Sequence, residues 1–143
     1  RFPAFFMTRM MSLDVGSKTI GVAVTDPWKI TVRPLTTLAR ETIRADAQMI
    51  CQLMVEQQVD KLIVGMPRHL GGERSDTLDF IEPLVEYLET VSEVPIEWAE
   101  ERLSTKHAEA LMAEAGLSLA ERRKKRNEFS AAVILQWHLE ESQ

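Results

Sequence analysis

Asp14 stands in Leu13-Asp14-Val15-Gly16, at the end of a short apolar run. A carboxylate in such a place is costly to bury unless it meets a cation or hydrogen-bond donors. Gly16 beside it lets the backbone turn and a ligand come close. The competing reading is a carboxylate that only bonds the N–H groups of its own turn. Glu100-Glu101-Arg102 repeats the theme after a second apolar run, Pro95–Ala99. Period-two alternation sends Glu100 and Glu101 to opposite faces, so only one of them can share a site with Asp14. Glu101 is the candidate. Glu100 reads more readily as part of an exposed acidic turn, favoured near a helix N-terminus. Arg102 either orients the carboxylate or meets a phosphate.

Two basic features accompany these acids. The segment from Gly65 to Ser75, GMPRHLGGERS, follows an apolar run, where clefts open in α/β sheets. Its glycines expose backbone N–H groups, and Arg68 and Arg74 carry the charge to hold phosphates. His69 reads as a surface loop residue. Arg122, Arg123, Lys124, Lys125 and Arg126 are five consecutive positive charges that feed Asn127. Charge runs are usually solvated faces. This one directly precedes an apolar helical stretch, which places it beside the candidate site and favours contact with a nucleic-acid backbone. Lys18 follows Gly16 without the Gly-x4-Gly-Lys spacing of a phosphate loop, and joins the candidate nucleic-acid contacts instead.

The elements that must position these residues can be read from periodicity. Met10–Asp14 and Ile20–Thr25 read as strands of a hairpin closed by Gly16-Ser17-Lys18-Thr19. Ile30–Leu38 is a third strand, weakened by Pro34. Glu41–Gln57 is a helix, with Ile43, Ala47, Ile50 and Met54 on one face. Asp60–Gly65 is a buried strand of the kind that parallel sheets use. A helix through Leu78, Ile81, Leu84, Val85 and Leu88 starts near Asp79 or is kinked at Pro83. Val94–Ala99 is a short strand. Ser104 can cap a helix carrying Ala108, Leu111, Met112 and Ala115, and Gly116 stops it. A last helix covers about Asn127–Glu140. This order predicts an α/β domain with a mixed five-stranded sheet, an antiparallel meander followed by parallel strands reached through crossover helices.

Composition narrows the function. A chain of 143 residues is one domain. It is expected over 11–141, with residues 1–10 as extra N-terminal residues or a tag remnant, because Met7, Met10 and Met11 could each be a start. Apolar types make up 45% of the chain, which excludes wholesale disorder. No run approaches the ~20 apolar residues of a membrane span, and Arg1–Phe6 is too short for a signal peptide. With 22 acidic and 17 basic residues the formal charge is −5, which excludes a generic polyanion-coating protein and confines any nucleic-acid contact to local patches. The single cysteine, Cys51, makes neither an internal disulfide nor a zinc site, and fits a reducing, cytoplasmic compartment.

Four stretches together, LDVGSKTIGVAVTD, VGMPRHLGG, EERLST with Ala108, and SAAVILQWHL, resemble the YqgF/RuvX family of RNase H-like nucleases. They run from residue 11 to residue 139, nearly the whole domain. The resemblance implies an RNase H-like fold. It also implies a metal-dependent endonuclease acting on four-way DNA junctions or on precursor 16S rRNA, with Mg2+ or Mn2+, two ions, as cofactor. By the same resemblance Asp14, Glu101 and residue 127 are the metal-holding and catalytic set. At position 127 the family pattern has Asp, four residues before the first alanine of Ala131-Ala132, whereas this chain has Asn127. An amide offers a neutral oxygen and no charge, so the resemblance implies a weakened or inactive nuclease. A second class, a nucleic-acid binder without catalysis, is favoured by Asn127 alone. A third, an actin-like ATPase or sugar kinase, needs two such domains around a nucleotide. A resolvase making paired cuts would suit a two-fold homodimer.

Overall fold

The computed structural model describes residues 8–67, 78–101 and 104–142, with the side chains of residues 101, 104 and 105 left aside. The elements are β1 (Arg9–Val15), β2 (Thr19–Thr25), β3 (Val32–Ala39), α1 (Ile43–Glu56), β4 (Val59–Pro67), α2 (Leu78–Val91), β5 (Ile96–Glu101), α3 (Ser104–Glu114) and α4 (Leu119–Glu141). The five strands form one sheet in the order β3-β2-β1-β4-β5. β1 pairs antiparallel with β2 and β2 with β3, while β4 runs parallel to both β1 and β5. The mixed five-stranded α/β sheet expected from the sequence is the one observed.

β1 reads as a continuous apolar run because both of its faces are covered. Met11, Leu13 and Val15 join Ile50, Leu84 and Leu88 in one core, under α1 and α2. Met10 faces the other way, with Ala23 and Ile63, against Ala131, Ile134 and Leu135 of α4. α3 lies outside, buried chiefly through Ala108 and Met112. Leu111, expected on that buried face, is 43% exposed, because the short helix touches α4 along one edge only. Its stop at Gly116 is as read: φ is +76°, and the N–H of Leu117 returns to the Met112 carbonyl at 3.1 Å.

Of the element boundaries that differ from the sequence reading, two bear on the site. α4 begins at Leu119, not near Asn127. Ser118 caps it with a reciprocal pair, its hydroxyl accepting from Glu121 N at 3.2 Å and Glu121 Oε1 accepting from Ser118 N at 2.9 Å. The Ser-x-x-Glu pattern is the signature of such a box, and the N–H of Ser118 holds the Glu121 carboxyl below its ordinary range. The basic run is therefore wound into the first turns of the helix. β5 extends to Glu101, so the acidic pair ends the strand and does not follow it.

Candidate active site

Asp14 lies at the end of β1, directly opposite Gly21 of β2, which in turn is opposite Thr37 of β3. Directly opposed residues share a face of the sheet. A Cβ on Gly21 would fall inside the van der Waals envelope of the Asn127 carbonyl and only 2.6 Å from the Glu128 nitrogen. The backbone of α4 is thus seated on the sheet at the residue paired with Asp14. Polar bonds fix the seat on every side. Asn127 Nδ2 donates to Thr19 Oγ1, Thr37 Oγ1 donates to Glu128 Oε1 at 3.0 Å, and Ser12 Oγ donates to the Ala131 carbonyl at 2.6 Å. Ser12 and Asp14 are two residues apart on β1, hence on the same face. Asp14 and Asn127 are both half-buried.

β5 contributes Glu101, in register with Pro67 of β4. Its position is two residues beyond Ala99, which packs in the α4 layer. Glu100, between them in the chain, is exposed. The side chain of Glu101 and the residues Arg68, Arg74 and Arg102 lie outside the described set. Among the described residues, no three His, Cys, Asp or Glu side chains form a ready-made metal cluster. An amide stands at the third position of the expected set, and Glu128, the acid next to it, is committed to Thr37 on the β3 side of the seat.

The hairpin turn that carries Lys18 is held from below by Arg40, a residue the motifs did not single out. Its guanidinium donates to the Gly16 carbonyl at 3.0 Å, to the Phe80 carbonyl at 3.1 Å and to Asp46 Oδ2 at 3.1 Å. Its backbone N–H donates to the Lys18 carbonyl at 2.9 Å. Asp46 is 1% exposed, and its other oxygen accepts from Glu41 N at 2.8 Å. One buried ion pair therefore ties the β1–β2 turn, the end of β3 and the starts of α1 and α2 together. Breaking such a pair from one side leaves an uncompensated buried charge. Asp46→Ala is expected to cost about 3–5 kcal/mol in chemical denaturation, and the double variant with Arg40→Ala to cost less than the sum of the singles. Additive losses would mean that the pair does not act as a unit.

Of the five consecutive cations, two are structural. Arg126 Nε bonds Glu109 Oε1 of α3 at 2.6 Å, and Arg122 Nε bonds the Leu117 carbonyl at 3.0 Å. Arg126 thus braces α3, while Arg122 ties the first turn of α4 to the connection that precedes it. Arg123, Lys124 and Lys125 are exposed, as is Lys18 on its turn. The conformational freedom expected of Gly16 is not used, since its φ is not positive. Its role is closeness, as a Cβ would sit 3.1 Å from the Thr19 carbonyl. Gly21 is the glycine that the sequence reading passed over. Its signal was a glycine inside a strand pattern, which marks a close backbone approach.

Comparison with known proteins shows the family and the fold. The family model RuvX, described as Holliday junction resolvase, matches residues 8–141. A protein of Desulforamulus reducens named "Putative pre-16S rRNA nuclease" is 37% identical over 132 residues, covering 92% of this chain and 96% of its own. Proteins of the same name from Clostridium perfringens and Symbiobacterium thermophilum are 36% and 37% identical, each over 92% of this chain, and over 96% and 92% of their own lengths. Among solved structures, the Thermus thermophilus RuvC complex with a Holliday junction substrate superposes with a TM-score of 0.59 at 15% identity, over 94% of this chain and 96% of that one. The fowlpox virus Holliday junction resolvase gives 0.60 at 10% identity, over 95% and 100%. At such identities the structural likeness speaks for the fold alone, and that fold is RNase H-like.

Proposed function

Because this chain belongs to the RuvX family, we propose that it is a divalent-cation-dependent endonuclease for structured nucleic acid, weakened by the amide at position 127. The observation that carries the reading is the seating of α4 on Gly21, which brings Asn127 to the row that begins with Asp14. Residues from opposite ends of the chain meet where a carboxylate ends the central strand.

The donor set suits a hard cation. Asp14, Glu101 and the amide oxygen of Asn127 are all oxygen donors, the chemistry that Mg2+ and Mn2+ select. Two such ions, when bound, supply Lewis acidity for in-line displacement at a phosphodiester. The protein's own part is to hold that geometry. The Asn127 nitrogen is committed to Thr19, so the amide oxygen is the group left for a cation. The Arg40 clamp keeps the turn beside Asp14 from moving when an anion approaches. Arg123, Lys124, Lys125 and Lys18, with Arg68, Arg74 and Arg102, supply positive charge for a phosphate backbone.

Four-way DNA junctions and precursor 16S rRNA are both substrates of the right chemistry. Cleavage of a synthetic junction and of a precursor rRNA fragment, each with Mn2+ and with EDTA, tests the reading and separates the two. A two-fold dimer fits paired cuts in a junction and a monomer fits a single rRNA end, which sedimentation distinguishes. No cleavage of either substrate, with both bound, would favour the second reading, a binder without catalysis, to which Asn127 alone points. Among the described residues no helix is long and apolar enough to cross a membrane.

Binding is expected to rest on the exposed cations. Arg123, Lys124 and Lys125 changed together to Ala should weaken junction binding without regard to sequence. The salt slope should fall by about one unit for each phosphate that is no longer neutralised. Arg122→Ala should instead lower stability and leave the slope unchanged. An unaltered affinity and slope in the triple variant would make the run a solvated surface.

A further inference from the structure

Among the described residues, four polar or charged side chains are buried on the sheet and helices: Ser12, Thr25, Asp46 and Ser130. Three have partners. Ser12 donates to the Ala131 carbonyl, Thr25 Oγ1 accepts from Met10 N at 3.0 Å, and Asp46 holds Arg40. Ser130 is 1% exposed, and its hydroxyl has no hydrogen-bond partner among the described residues. Buried polar groups are nearly always bonded, and an exception calls for a cause. A serine inside a helix can satisfy itself on the carbonyl four residues back, and Ser130 does not.

Its position supplies the cause. Three residues along an α-helix turn through about 300°, so Ser130 lies within about 60° of Asn127 around α4 and about 4.5 Å further along it. The next residue, Ala131, is bonded to Ser12, which shares a β1 face with Asp14. Ser130 therefore sits one turn beneath the amide, beside the strand that presents the carboxylate, and its hydroxyl is sealed from solvent. The set around it lacks one negative charge relative to three carboxylates, but it does not lack oxygen.

We infer that Ser130 is a further oxygen ligand of the cation site, its hydroxyl joining the oxygen groups of Asp14 and Asn127 around a divalent ion. The inference rests on the nuclease reading of that site. It adds a residue whose hydroxyl oxygen gains a partner when the cation is bound. It also assigns a consequence to the side chain chosen at 130. A carboxylate there would face the ion and tighten it, whereas an alanine would loosen it.

The test uses the full chain and Mn2+ alone as probe, with Ser130→Ala, Ser130→Asp and Asp14→Asn. Mn2+ affinity is read by calorimetry, and the melting midpoint in EDTA and in Mn2+. Ser130→Ala is expected to melt no lower than the parent in EDTA, since it removes an unsatisfied group, and to bind Mn2+ about 10-fold more weakly. Ser130→Asp is expected to melt lower in EDTA, to recover more in Mn2+ than the parent does, and to bind the ion more tightly. Asp14→Asn is expected to weaken Mn2+ binding in every case. If Asp14→Asn weakens binding while neither Ser130 variant changes it, the inference falls and the site reading stands. If Asp14→Asn also has no effect, the site reading falls and the inference goes with it. Should Ser130→Asp not fold, the affinity of Ser130→Ala decides alone.

Discussion

Asn127→Asp is expected to raise the Mn2+-dependent single-turnover rate on junction or precursor rRNA by about 10–100-fold, the scale on which disturbed metal-site groups act. The change is nearly isosteric and restores one negative charge beside Asp14. It replaces the Nδ2 donor that now bonds Thr19 Oγ1. A threonine hydroxyl donates as readily as it accepts, so the bond can reverse and the seat of α4 should survive. Stability should therefore change little, and nucleic-acid affinity should stay within a few-fold, since the exposed cations are untouched. The comparison is made at saturating metal for both proteins. Equal rates would mean that residue 127 holds no cation. The carboxylates next in line are poorly placed to substitute, because Glu128 is bonded to Thr37 on the β3 side and Glu100 is exposed.

Gly21→Ala should damage the protein more broadly. In a strand alanine is ordinarily no worse than glycine, which weakens strands through its entropy and its missing side chain. Here the added methyl would meet the backbone of Asn127 and Glu128, and no rotamer change can clear backbone. Either α4 lifts or β2 bends. Overpacking of this kind costs about 1–3 kcal/mol, and more where nothing can give way. The lift would also shift Asn127 relative to Asp14. A displacement of about 1 Å in such a site can cost on the order of 100-fold in rate. The expected outcome is a lower melting midpoint together with a cleavage rate reduced further than Mn2+ saturation can restore. An alanine variant as stable and active as its parent would show that α4 does not bear on Gly21.

The amino-acid order settles a good deal by itself, because strands and helices write their periods locally. The alternation in Ile20, Val22 and Val24, the unbroken apolar Leu62-Ile63-Val64 and the helical spacing of Ala47, Ile50 and Met54 each need only neighbours in the chain to be recognised. Their order alone was enough for a mixed five-stranded sheet. The two shifted boundaries that bear on the site are also local in cause. Ser118 and Glu121 form a capping box that the run of charge behind them obscured. The register of β4 with β5 carries pairing on to Glu101, past the last apolar residue.

What the order of residues does not determine is where α4 lands. Asn127 bonds a residue 108 positions away, and Ala131 one 119 positions away. Neither bond leaves a trace in local periodicity, since each depends on how a long helix settles across three strands. The same holds for the division of labour among five adjacent cations, of which Arg126 braces α3 and Arg122 bonds the Leu117 carbonyl before α4, because successive residues fan around the helix. It holds for Arg40 and Asp46, which no motif singles out in the sequence and which are buried together in the fold. A side chain's chemistry belongs to the sequence; its partner is chosen by packing, and only the packed sheet and helix decide that Gly21 must be bare and that Ser130 lies beneath Asn127 with its hydroxyl unspent.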